Sequence, residues 1–157
     1  MISIRNAKVP LTGDVLKATE ERLGIVLSEE YRSFLLIHNG GRPKPDVFKF
    51  RKRSGKLATS CVDWFLAVYD GEYNNFERYF QTFKVFRQRL PSELVAIAHD
   101  PGGNLVCVAV DGDQKGAIFF WDHEQECEDG EMPTYSNVYL IADSFSDFLS
   151  SLHTVEY

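Results

Sequence analysis

Residues 94–121 read LVAIAHDPGGNLVCVAVDGDQKGAIFFW, and this stretch decides the fold. It holds three short apolar runs, at 94–98, 105–110 and 117–121, separated by connectors rich in Gly, Asp and Asn. Runs of this length between such connectors are typical of strands that pair through tight turns. We therefore predict an antiparallel meander of three strands.

Three further segments have the composition of strands. Residues 62–69 are rich in β-branched and aromatic side chains and end at a turn. Residues 47–50 are a short apolar stretch between polar loops, and residues 138–142 are an apolar run after the meander. Together with the meander, these segments predict about five to six strands.

Four segments carry apolar side chains at the spacing of an amphipathic helix. They are residues 14–23, 28–38, 73–87 and 144–152. Thr12 or Asp14 is placed to cap the first helix, and Gly24 to end it. Ser28 and Ser144 are placed to cap the second and the fourth. The sequence therefore predicts an α+β fold with about four helices beside the sheet.

Length and composition favour one soluble domain. A chain of 157 residues buries a continuous core without staples, so we predict a single domain over residues 1–157. No run approaches the roughly 20 apolar residues that cross a bilayer, and the first five residues lack the order of a secretory signal. The three cysteines are widely spaced. These features predict a cytoplasmic protein with no membrane partner.

The net charge of −6 is unevenly distributed. Residues 1–98 carry 16 Lys and Arg against 11 Asp and Glu, whereas residues 99–157 carry Lys115 alone against 12 acidic residues. The C-terminal portion therefore has a net charge of −11, which repels phosphate backbones and attracts basic proteins. We predict a basic protein partner and no nucleic acid.

Residues 42–56 are the basic exception, with seven Lys and Arg around Phe48 and Phe50. Such interleaving occurs in small nucleic-acid patches. It also fits a segment that forms salt bridges with the acidic C-terminal surface, because an alternating strand buries Phe and exposes charge. We favour the second interpretation.

Sequence blocks spread over nearly the whole chain resemble a known superfamily in order and spacing. The blocks are LGIVLSEEYRSFL at 23–35, NGG at 39–41, IA at 97–98, GGN at 102–104, GAIFFWDHE at 116–124 and IADSF at 141–145. They resemble the SUKH superfamily, bacterial immunity proteins related to the SMI/KNR cell-wall regulators of fungi. The resemblance implies a twisted, mostly antiparallel sheet with flanking helices.

The resemblance also implies residue roles and a function. The residues that would shape the fold are Tyr31, Asn39, Gly40, Gly103, Trp121 and Asp143. Trp121 would anchor the sheet. For most bacterial members, the resemblance implies neutralisation of a polymorphic protein toxin that is encoded nearby.

Three segments invite a catalytic or ligand-binding interpretation. His99-Asp100 could pair a general base with a carboxylate, but adjacent strand residues point to opposite faces. Residues 122–124 with Cys127 offer zinc ligands without the paired spacing of zinc modules. Residues 101–104 lack the Gly-Lys-Ser/Thr ending of a phosphate loop and predict a turn. We predict a protein that is not an enzyme and holds no metal or cofactor.

The acidic loop, defined as residues 122–131, is the predicted contact surface. Its carboxylates would face a basic cleft, such as that of a toxic nuclease. They belong to Asp122, Glu124, Glu126, Glu128, Asp129 and Glu131. One alternative is a regulatory scaffold that binds housekeeping proteins, and another is a hydrolase or metal enzyme that uses His99, Asp122 and His123. We expect a monomer or a weak homodimer.

Overall fold

The predicted meander forms the centre of a five-stranded antiparallel sheet. The computed structural model of the chain describes residues 2–155. In chain order the elements are β1 (Ser3–Arg5), α1 (Gly13–Leu23), α2 (Glu29–Ile37), β2 (Arg42–Lys44), β3 (Val47–Arg51), β4 (Leu57–Cys61), β5 (Trp64–Phe65), α3 (Phe76–Phe80), a π-helical turn (Gln81–Phe86), β6 (Leu94–His99), β7 (Leu105–Ala109), β8 (Ile118–Trp121), a 3₁₀ turn (His123–Gln125), β9 (Val138–Ala142) and α4 (Phe145–Ser151). The predicted α+β class is confirmed.

The main sheet has the strand order β5-β6-β7-β8-β9, and all neighbours are antiparallel. Two smaller pairs, β1–β2 and β3–β4, lie beside it. Strands β6, β7 and β8 are buried along almost their whole length. This explains why the sequence shows them as continuous apolar runs rather than alternating ones.

The two faces of the main sheet are covered by different parts of the chain. Phe120 in β8 packs on Phe48 and Phe50 of β3, with ring centroids 6.0 Å and 4.3 Å away, and α2 and α4 cover the same face. We call this the helix face. Trp121 points the opposite way, as strand alternation requires, and meets Phe83 of the π-helical turn at 5.7 Å. We call this second side the loop face.

The predicted helix caps are confirmed. Such caps can be predicted from the sequence because they join residues only three apart. The Thr12 side chain accepts a hydrogen bond from the Val15 amide, and Ser28 and Ser144 accept equivalent bonds at the starts of α2 and α4. Gly24 ends α1 in the left-handed conformation, with φ 72°. The fourth predicted helix, α4, therefore begins directly after its Ser144 cap, as the sequence predicts.

The prediction of a regular helix over residues 73–87 is only partly correct. The α-helix begins at Phe76, because the Asn75 side chain caps the Arg78 amide and also donates to the carbonyls of Tyr69 and Gly71. These bonds hold the preceding residues in a turn. After Phe80 the helix widens into the π-helical turn, which the apolar spacing does not reveal.

The prediction of a strand over residues 62–69 is wrong for most of its length. Only Trp64–Phe65 pair with β6. Further along the chain, the backbone amide and carbonyl of Val68 form hydrogen bonds with the Asn39 side chain and not with a neighbouring strand. Composition indicated a strand, but a side chain 29 residues away takes up these backbone groups.

Strand β4 is an element that the sequence analysis missed, because LATSC has no apolar alternation. It pairs with β3 from Val47↔Cys61 to Arg51↔Leu57. In β3, Phe48 and Phe50 are buried while Lys49 and Arg51 are exposed, so the predicted alternation is confirmed. Across residues 2–155, no helix combines the length and apolar character needed to span a bilayer.

Candidate partner-binding surface

The acidic loop leaves β8 with its first residues fixed to the sheet. The Asp122 carboxylate accepts a hydrogen bond from the Glu124 amide at 3.0 Å and so caps the 3₁₀ turn. The Asn137 side chain donates to the Asp122 carbonyl at 2.9 Å, across the base of the loop. Asp122 is therefore engaged in shaping the loop.

Glu126 is held by an arginine that the sequence analysis did not identify. Arg89 Nε and Nη2 donate to the two Glu126 carboxylate oxygens at 2.8 Å and 2.6 Å. The guanidinium also lies over the rings of Phe83, at 4.4 Å, and Trp121, at 5.3 Å. We call this the Arg89–Glu126 pair. It attaches the middle of the acidic loop to the loop face of the sheet.

The other four carboxylates of the acidic loop face solvent. They belong to Glu124, Glu128, Asp129 and Glu131. Within residues 2–155, none of the four takes part in an ion pair. The structure therefore divides the six predicted residues into two that hold the loop and four that are exposed and have no ion-pair partner within residues 2–155.

Tyr135 anchors the chain beyond the acidic loop. Its ring packs on Phe119 with a centroid distance of 6.4 Å, and its hydroxyl donates to Glu93 Oε2 at 2.6 Å. This bond lowers the pKa of Glu93, while burial and then the Glu93 carboxylate raise the pKa of Tyr135. The sequence signal for this anchor is an aromatic residue between polar neighbours, Thr134 and Ser136.

The basic segment 42–56 lies against this region, but not through the salt bridges that we predicted. Arg53 Nη2 donates to the Tyr135 backbone carbonyl at 2.7 Å. Arg42 pairs with Asp63 at 2.9 Å, within the N-terminal portion. Among the described residues, no ion pair joins segment 42–56 to the acidic C-terminal portion. The predicted placement is therefore observed, and the predicted salt bridges are wrong.

Asn39 and Gly40 join the end of α2 to the loop after β5. Asn39 Nδ2 donates to the carbonyls of Val9 and Val68, and its Oδ1 accepts from the Val68 amide. Gly40 has φ 75°, and a Cβ there would lie 2.6 Å from the Ala67 Cβ. Both residues therefore have a structural explanation in the fold.

The remaining residues implied by the resemblance occupy different environments. Trp121 is fully buried under Arg89 and Phe83. Tyr31 is buried against Phe145, and within residues 2–155 its hydroxyl has no hydrogen-bond partner. The exposed Asp143 precedes the Ser144 cap, and Gly103, with φ 90°, lies against the His123 ring. All of these remaining residues lie outside the acidic loop.

Asp100 organises the turn between β6 and β7. Its carboxylate accepts hydrogen bonds from Ser60, from the Gly102 amide and from the amide and side chain of Asn104. Burial works to raise the pKa of Asp100, but these bonds outweigh it and hold the pKa below its usual range. His99 Nδ1 faces the Asp100 backbone carbonyl at 3.1 Å rather than the carboxylate. The turn interpretation of residues 101–104 is thus confirmed.

The possible ligand residues near the acidic loop do not converge in the described part of the chain. Cys127 Sγ donates to the Glu131 carbonyl at 3.6 Å, and the His123 amide is bonded to Asn104. Residues 2–155 contain no group of three or more His, Cys, Asp or Glu side chains arranged to hold a metal ion. Five depressions described on the surface of residues 2–155 are all lined by residues other than His99 and His123.

Fold and surface together define an α+β protein that presents a carboxylate-rich loop between the last two strands of an antiparallel sheet. The chain belongs to the SMI1 / KNR4 family (SUKH-1), whose family model matches residues 10–151. The chain is also 27% identical over 151 residues to the SPbeta prophage-derived uncharacterized protein YokK of Bacillus subtilis strain 168. That alignment covers 90% of this chain and 74% of YokK.

Proposed function

We propose that this protein is an immunity protein that binds a cognate polymorphic toxin domain and blocks its active surface. The observation that carries the proposal is the set of four exposed carboxylates, at Glu124, Glu128, Asp129 and Glu131, which have no ion-pair partner within residues 2–155. Membership of the SUKH-1 family is compatible with this role. The protein would act in the cytoplasm by binding, without catalysis and without a cofactor.

Charge and preorganisation support this surface as the contact site. Carboxylates that face solvent attract a basic cleft and raise the rate of encounter. The Arg89–Glu126 pair and the Asp122 cap hold residues 122–126 of the loop before the partner arrives. Because less conformational freedom is lost on binding, the same contacts give a higher affinity. A toxin with a basic active surface, such as a nuclease, fits these properties best.

The first test is recovery of the partner from the native cell. The full chain is purified with its bound protein, which is then identified and produced separately. A toxin domain with a basic surface supports the proposal. A housekeeping protein instead would favour the alternative function, a regulatory scaffold domain, and so would a gene that has no toxin gene beside it.

The second test is a charge-reversal variant, captured on the identified partner. We expect Glu124→Lys, Glu128→Lys and Asp129→Lys together to weaken capture strongly, because the variant repels a basic surface. The three side chains are exposed, and among residues 2–155 they take part in no ion pair, so we expect the fold to be retained. Unchanged capture would exclude this surface as the contact site.

A matched control separates local charge from total charge. Glu21, Asp70 and Glu72 are also exposed acidic residues, and they lie outside the acidic loop. Their joint replacement by Lys changes the net charge by the same amount. We expect this control to bind the partner nearly as well as the native chain. Equal loss of binding in both variants would show that only the overall charge matters.

A further inference from the structure

A groove lies beside the acidic loop on the loop face of the sheet. One wall is formed by Lys84 of the π-helical turn and by residues 88 and 90–93, which follow that turn. The other is formed by residues 132, 133 and 135, which follow the acidic loop. The volume of the groove is about 520 Å³. We call it the Tyr135 groove, because the Tyr135 ring forms part of its wall.

The lining of the Tyr135 groove is largely apolar. Leu90, Pro91 and Pro133 contribute to it, and the Met132 side chain stands at its edge with 75% of its surface exposed. Met is unbranched and adapts its shape to different apolar partners. An exposed methionine beside an apolar depression is therefore suited to close over an aliphatic side chain.

The surroundings of the groove are acidic. Glu93 lines it, and Glu131 immediately precedes Met132 in the chain. A second depression of about 220 Å³ shares Glu93 and Tyr135 with the groove and is lined by Asp111 and Asp113. The carboxylates therefore continue from the acidic loop, past the groove, to the turn between β7 and β8.

Lys84 is the one basic residue that lines the groove, against four nearby carboxylates, at Glu93, Glu131, Asp111 and Asp113, so it offsets their charge only in part. Lys84 Nζ donates to the carbonyls of Ser92 and Leu94 at 2.7 Å and 2.8 Å. Its ammonium group is thus directed at the backbone next to β6. The groove therefore offers a ligand apolar side chains together with the polar Gln88, Ser92 and Glu93.

We propose that the Tyr135 groove receives an aliphatic side chain of the partner protein that is flanked in sequence by Lys or Arg. This inference rests on the proposed function and deepens it, because it names the chemistry of a second contact. The aliphatic group would displace water from the apolar lining, and the basic neighbours would pair with Glu93, Glu131 or the two aspartates. Nucleic acids and anionic lipid surfaces are disfavoured because the same carboxylates repel phosphates.

The test uses short defined peptides and the full isotope-labelled chain, so that no toxin is needed. The probes are Gly-Lys-Leu-Lys-Gly, Gly-Lys-Ser-Lys-Gly and Gly-Glu-Leu-Glu-Gly, each added at millimolar concentration while amide chemical shifts are recorded. We expect the Lys-Leu peptide to shift the amides of Glu93, Met132 and Tyr135 with saturation. We expect the Ser peptide to bind at least about fivefold more weakly and the acidic peptide not to bind.

Two variants and a control locate the binding. Met132→Ser and Glu93→Gln should each weaken the Lys-Leu peptide about fivefold, because one removes the apolar contact and the other the charge. Val9→Ser replaces another strongly exposed apolar side chain that does not line the groove, and should leave the affinity unchanged. Thermal unfolding of each variant verifies that the fold is retained.

Three results would overturn the inference. They are equal binding of the Leu and Ser peptides, shifts confined to residues outside the groove, and shifts that depend on protein concentration alone, which would indicate a second copy of the chain as the occupant. Any of them leaves the charge-reversal test of the acidic loop untouched. Conversely, the peptide could bind in the groove while the charge-reversal variant of the acidic loop still captures the partner normally. That result would exclude the acidic loop as the contact site and would still support the groove as a binding site.

Discussion

The Arg89–Glu126 pair provides the sharpest mutational prediction. Both side chains are about one-quarter exposed, at 24% and 23%, so solvent screens their attraction only in part. Hydrogen bonds to a charged group contribute about 1.5–3 kcal/mol, and a cation over an aromatic ring adds about 0.5–1 kcal/mol. We therefore expect Arg89→Ala to lower the free energy of unfolding by about 2–3 kcal/mol, and Glu126→Gln by about 1–2 kcal/mol.

The assay is urea unfolding of the two single variants and the double variant, combined with amide hydrogen exchange. The double variant should lose about 1 kcal/mol less than the sum of the single changes, because the residues act on each other. Amides of the acidic loop should exchange faster in both single variants. Arg22→Ala is the control, because its ion pair with Glu77 lies at the surface and should contribute far less. Additive effects with unchanged loop exchange would refute the reasoning.

Two further predictions concern residues that shape the fold. Gly40→Ala should lower the free energy of unfolding by about 2–4 kcal/mol in urea, because the new Cβ meets Ala67 and the backbone has a positive φ; a change within error would show that the loop yields easily. Asp100→Asn should destabilise the protein by about 1–3 kcal/mol at pH 7, because its carboxylate accepts hydrogen bonds from Ser60, Asn104 and the Gly102 amide. The folded pKa of Asp100 lies below the unfolded one, so its stabilising contribution is present above about pH 4 and is lost as the pH falls toward the folded pKa. The native and variant stabilities should therefore converge below about pH 4, and parallel pH profiles would contradict this assignment.

The sequence predicts those parts of the fold whose causes are local. Ser28 and Ser144 bond to amides three residues on, so the starts of α2 and α4 are visible in the sequence. The meander can also be predicted from the sequence, because connectors rich in Gly, Asp and Asn separate its three apolar strands. The end of α2 near Asn39 can also be predicted from the sequence. The buried hydrogen bonds between the Asn39 side chain and the Val68 backbone cannot.

The parts that the sequence does not predict depend on distant partners. Strand β4 exists because β3 pairs with it, and LATSC alone carries no strand pattern. For the candidate site, the sequence identifies six carboxylates as one set. It does not reveal that Glu126 is bound by Arg89, which lies 37 residues away. The division between carboxylates that hold the loop and carboxylates that face solvent is therefore a result of tertiary structure.

The proposed function requires that the four exposed carboxylates of the acidic loop capture a basic partner protein. Stopped-flow association with the purified partner, measured over a series of salt concentrations, tests it most directly. For the native chain, the association rate should fall as salt rises, because exposed charges are screened. The variant with Lys at positions 124, 128 and 129 should associate at least about tenfold more slowly, with a flattened salt dependence. A variant rate and salt slope equal to those of the native chain would contradict the account.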